Sequence, residues 1–117
     1  MKAIIELGGR GSALSLARSQ LAAAQTGGEI DYHLVFESAR TLFSELTPAR
    51  IDTLEHLRAH GPMTIYALAK EMNRNYSNVH GDVDKLLEHR LAEKDAENRV
   101  FVPWDSVEIH MALARVA

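Results

Sequence analysis

Residues 64–89 hold two apolar stripes at helical spacing, separated by the tight polar run Asn73-Arg74-Asn75, and few folds accommodate that pattern. Ile65, Leu68, Ala69 and Met72 line one side of the first segment, and Val79, Val83, Leu86 and Leu87 line one side of the second. Residues three and four apart share a helix face, so each segment carries a stripe that a neighbour must cover. Two short helices crossing at such a turn cover each other and leave the outer side of the second exposed. This is the helix-turn-helix arrangement, whose second helix is shaped to enter a DNA major groove.

The flanking residues extend the pattern. Thr47-Pro48 sets an N-cap hydroxyl ahead of a proline at the first helical position. Ile51, Leu54 and Leu57 then give a core side to a helix that runs through Ala59 and ends at His60-Gly61-Pro62, and Thr64 caps the next. Beyond the second helix of the pair, residues 91–94 and 99–103 flank the turn Asp95-Ala96-Glu97-Asn98 and read as a hairpin with a polar tip. Helix, helix, recognition helix, hairpin is the order of a winged helix. Residues 107–113 alternate with period two and predict a final strand.

Upstream, residues 3–7 predict a strand closed by Gly8-Gly9-Arg10-Gly11, and Ser12 predicts the N-cap of a helix from Ala13 to about Gln25. Thr26-Gly27-Gly28 stops that helix, residues 30–36 predict a second strand, and Ser38 opens a short helix carrying Leu42, Phe43 and Leu46. The expected class is α+β: a winged helix-turn-helix domain over residues 38–117 with a strand-helix-strand extension over residues 1–37. The extension is too small to be stable alone, so it needs the rest of the chain or a second subunit, and either it or the final strand is expected to make the dimer or hold the partner.

Composition narrows the function classes. No cysteine is present among 117 residues, which removes disulfides, thiolate zinc sites and cysteine nucleophiles and fits a cytoplasmic location. No apolar run is long enough to span a membrane, and the apolar start is too short for a secretory signal. The formal charge of −3 argues for a local DNA face, doubled by dimerisation, rather than a basic surface overall.

The candidate DNA contacts are Thr64, Arg74, Asn75, Tyr76, Ser77, Asn78, His80, Lys85 and Arg99. Arg forks onto guanine and Asn pairs bidentately with adenine, whereas Ser, Tyr and Lys hold phosphates. Arg99 follows the hairpin tip and suits a minor groove, though Asp95 and Glu97 beside it repel phosphate. Asp82 is placed to orient Arg50 rather than to catalyse, because no convergent histidine or metal set accompanies it. His56 and His60 are four apart but lack the third ligand zinc needs, so no metal, cofactor or catalytic residue is expected. Trp104 is expected against the first helix of the fold. Gly8-Gly9-Arg10-Gly11-Ser12 lacks the Gly-Lys-Ser/Thr ending of a phosphate loop and reads as a turn.

Leu46-Thr47-Pro48-Ala49-Arg50, Gly61-Pro62-Met63-Thr64-Ile65, Asn78-Val79-His80-Gly81-Asp82-Val83 and Arg99-Val100-Phe101-Val102-Pro103-Trp104-Asp105 resemble the MarR-like winged-helix antitoxins encoded beside TumE-type toxins. The resemblance covers residues 36–113 and implies a non-enzymatic regulator that represses its own operon and neutralises a cognate toxin. Gly81 departs from that pattern where a basic or polar residue is usual, and Arg90 where a glycine closes the recognition helix. The expected partners are operator DNA, the toxin and a second copy of the chain, with recognition helices about 34–36 Å apart in a twofold dimer. The competing readings are a winged-helix interaction module without DNA binding, using the edge strand at residues 30–36, and a stand-alone transcriptional regulator.

Overall fold

A computed structural model describes residues 1–8 and 30–112, and within them the chain is mixed α/β. The elements are β1 (Lys2–Leu7), β2 (Tyr32–Phe36), α1 (Ala39–Glu45), α2 (Pro48–His60), α3 (Ile65–Glu71), α4 (Tyr76–Glu88), β3 (Glu93–Lys94), β4 (Val100–Phe101) and β5 (Ser106–His110). They divide into two compact units, Glu45–Pro103 and the remainder of the chain. The helix expected at residues 13–25 and the glycine turn at residues 9–12 lie outside the described residues.

Local chemistry sets the helix boundaries in the Glu45–Pro103 unit. The Thr47 hydroxyl accepts from the Arg50 amide at 3.3 Å and Pro48 opens α2, while the Gly61 amide closes it by donating to the Leu57 carbonyl at 2.8 Å. Thr64 caps α3 through the Ala67 amide at 3.1 Å. Asn73 turns the chain after α3 with a φ of 52°, a left-handed conformation that asparagine tolerates better than most residues. The core gathers Leu57 from α2, Ile65, Leu68 and Ala69 from α3, Val79 and Val83 from α4, and Met63 and Val100. Met72 and Leu87, the last members of the two sequence stripes, are only partly buried against it.

The hairpin β3–β4 is antiparallel and is tied to the segment ahead of α3. Met63 and Val100 exchange both backbone hydrogen bonds, at 3.0 and 2.7 Å. At its tip, Asp95 Oδ1 accepts from the amides of Glu97 and Arg99, both at 2.9 Å, and Asn98 takes a φ of 62°. An aspartate bonding the backbone two and four residues on makes this a tight turn with its own framework.

The other unit holds a three-stranded sheet of order β2-β1-β5, parallel throughout. The final strand, expected to finish the winged-helix domain, instead pairs with β1. This resolves how so short an N-terminal strand pair finds a third strand. Ala3 and Ile5 project from one face of β1 and are wholly buried, while Lys2, Ile4 and Glu6 alternate onto the other. Trp104 stacks on Tyr32, with ring centroids 5.2 Å apart and planes 13° from parallel. No helix among the described residues is long and apolar enough to cross a membrane.

Candidate nucleic-acid interface

One side of α4 is interior and the other faces solvent, with His80, Lys85 and Leu87 between them. Val79, Val83 and Leu86 are fully buried, which contributes about 1.5–3 kcal/mol each to holding the helix down. Asn75 caps the N-terminus by accepting from the Asn78 amide at 3.2 Å. Around that first turn Asn75, Tyr76, Ser77 and Asn78 are all exposed, and further along so are Gly81, Asp84 and Glu88. His80 is half-buried, its ring 5.8 Å from that of Tyr76 and its Nδ1 3.1 Å from Asp84 Oδ2.

Arg74 departs from the expected role. Its guanidinium turns inward, where one nitrogen donates to Thr53 Oγ1 at 3.0 Å and another meets Asp82 Oδ2 at 2.6 Å. The other Asp82 oxygen takes the Arg50 Nε–H at 3.1 Å, and Arg50 also donates to the Glu45 carbonyl at 2.9 Å. Thr53, fully buried on α2, donates its own hydroxyl proton to the Ala49 carbonyl at 2.8 Å. The buried Asp82 carboxylate is thus held between two guanidinium groups, and the network braces α2, the turn and α4. The reason is electrostatic: a carboxylate left alone in this position would be destabilising, and Arg74 supplies the matching charge. The Arg50–Asp82 pair anticipated from sequence is present. Thr53 was not anticipated, its only sequence signal being a hydroxyl between apolar helix positions.

The other two cations are also engaged. Lys85 Nζ lies 3.3 Å from both Glu45 Oε2 and Glu88 Oε2. Hydrogen bonds to Glu88 and then Glu45 raise the Lys85 ammonium above its ordinary range. His89 and then Lys85 hold the Glu45 carboxyl below its own. At the hairpin tip Arg99 Nε meets Asp95 Oδ2 at 3.0 Å and a terminal nitrogen meets Glu97 Oε2 at 3.3 Å. The Arg99 amide, more than any other group, lowers the Asp95 carboxyl. Thr64 and Asn75 serve as helix caps, so Tyr76, Ser77, Asn78 and His80 are the expected contacts that lie together on the outer side of α4.

One exposed residue escaped the sequence reading. Tyr66 on α3 is 69% exposed, more than any other large apolar or aromatic side chain among the described residues. Its signal was its position off the Ile65, Leu68, Ala69 stripe. His56 and His60 lie with ring centroids 4.7 Å apart and His56 Nε2 is 2.8 Å from Glu71 Oε1. Among the described residues no group of three or more histidine or carboxylate side chains could hold a metal ion.

The described residues define a mixed α/β chain that joins a helical unit with an attached hairpin to a small parallel sheet. A family model, HVO_A0114, matches residues 45–109 of this chain, more than half its length, and the chain belongs to that family. No curated protein and no solved structure matches it.

Proposed function

We propose that the Glu45–Pro103 unit is a winged helix-turn-helix and that the chain is a DNA-binding autorepressor and antitoxin, without enzymatic activity, acting as a homodimer in the cytoplasm. One observation carries the reading: the first turn of α4 presents Tyr76, Ser77 and Asn78 to solvent while its opposite side is buried. A capped helix with its polar N-terminal side exposed has the form that reads a major groove. The order α2, α3, α4 and hairpin, with β4 bonded to the Met63 segment, supports α4 as recognition helix and β3–β4 as wing. The toxin partner rests on the sequence resemblance alone.

Arg74 acts in this account through the position of α4, not through a base. Direct readout falls to Asn78, with Ser77 and Tyr76 on phosphates. The test is a mobility-shift titration on duplex DNA from upstream of the gene. Asn78→Ala combined with Ser77→Ala is expected to weaken retention roughly 5- to 150-fold, the range for losing a bidentate base contact. Retention should also fall steeply with salt. Equal retention by the double variant removes α4 from the account.

A second reading, a winged-helix interaction module without DNA binding, draws support from the carboxylates that occupy Lys85 and Arg99. Capture of the neighbouring gene product by a chain that ignores upstream DNA favours it. Operator binding without such capture favours a stand-alone regulator.

A further inference from the structure

We infer that β5 is the dimer contact: its outer edge pairs antiparallel with β5 of a second copy and joins two three-stranded sheets into one of six strands. The inference rests on the proposed function only for the existence of a homodimer and is independent of DNA.

β1 occupies the centre of the sheet and β5 pairs with it on one edge only, and no described strand lies along the other edge. Exposed edges of soluble proteins are commonly blunted by proline, by a bulge or by inward charge. Ser106-Val107-Glu108-Ile109-His110 contains no proline, and its register with β1 runs from Lys2↔Ser106 to Glu6↔His110 without interruption.

Val107 and Ile109 lie in register with Ala3 and Ile5, both fully buried, so the apolar face of the sheet continues onto β5. It stops there with Ile109 still 40% exposed. On the other face Glu108 is held by Lys2 at 3.3 Å and by His110 at 2.9 Å.

The strand is self-complementary when read against its own reverse. With Glu108 on the twofold axis, Val107 faces Ile109 of the second copy and Ile109 faces Val107, and Ser106 faces His110. The apolar row therefore crosses the junction unbroken. The two Glu108 carboxylates face each other, an unfavourable pair in a sheet. Lys2 and His110 on each side offset it. This places a built-in handle for the test on the axis.

The chain has no cysteine, so single cysteines report the geometry cleanly. Directly opposed residues of antiparallel strands have Cα atoms about 4.5–5.5 Å apart, inside the roughly 4.4–6.8 Å reach of a disulfide. Ser106, offset four residues from its own copy, is about 13 Å away from it. Under mild oxidation Glu108→Cys is expected to give a covalent dimer on a non-reducing gel at least tenfold faster than Ser106→Cys. In sedimentation, Ile109→Lys should run as a monomer with an unchanged circular dichroism spectrum, and Glu108→Gln should dimerise several-fold more tightly. A wild-type monomer, or equal cross-linking rates for the two cysteine variants, overturns the inference. Should Ile109→Lys disturb folding, the cysteine pair still decides. A dimer that forms with neither cysteine favoured would leave operator binding standing and place the contact elsewhere.

Discussion

The guanidinium of Arg74 meets the carboxylate of Asp82 at 2.6 Å, across eight residues that include the turn and the first half of α4. Arg50 holds the same carboxylate from the other side, so the orientation of α4 depends on a charge cluster whose members are mostly shielded from water.

Arg74→Ala is expected to destabilise the chain by about 2 kcal/mol. That is less than the roughly 3–5 kcal/mol for breaking a fully buried pair, because the Arg74 side chain is 26% exposed and Arg50 remains. Asp82→Ala, which leaves two cations facing each other, should cost about 3 kcal/mol or more. Urea unfolding checks both, and the double variant should lose less than the sum.

Gly81 and Gly61 should respond to alanine with opposite signs. A Cβ at Gly81 would meet nothing within 4 Å, so Gly81→Ala should stabilise α4 by about 1 kcal/mol, the helix-propensity difference. At Gly61 the Cβ would fall 2.7 Å from the Leu57 carbonyl oxygen, and the substitution should destabilise. Thermal midpoints of the two variants measure the contrast.

Arg90 follows α4 with a φ of 60°, the left-handed conformation in which a side chain crowds the backbone. The glycine usual at this place in the antitoxin pattern would take the same conformation without that crowding. Arg90→Gly is expected to raise stability by about 1 kcal/mol in denaturant titration.

Glu45 and Asp95 each contribute to stability on the acid side. Each carboxyl is lowered from its ordinary value, 4.5 for Glu45 and 3.8 for Asp95, so the folded state binds its proton less readily than the unfolded state. The resulting stability is fully present above those values and is lost as the pH falls through the lowered ones. Unfolding midpoints should hold constant from about pH 7 to about pH 5 with respect to these groups and drop below about pH 4. Glu45→Gln and Asp95→Asn should each flatten the acid side of that curve.

The helices were legible because their determinants are local. Thr47-Pro48, Thr64 and the two apolar stripes act over three or four residues, and α2, α3 and α4 lie where those signals set them. The hairpin was legible for the same reason, since Asp95 organises its own turn. The destination of charged side chains was not. Arg74 and Thr53 are 21 residues apart, Lys85 and Glu45 belong to different helices, and nothing in their spacing says that they meet.

What the sequence alone determined, among the described residues, is where α2, α3, α4 and the hairpin lie and which side of α3 and α4 is buried, because capping and periodicity are properties of short segments. Only the tertiary structure decided that the last strand lies parallel to the first, and that Arg74, Lys85 and Arg99 bind carboxylates of their own chain. The physical reason is that a charge takes whichever partner the folded backbone brings within about 4 Å, and Coulombic attraction carries no memory of separation along the chain.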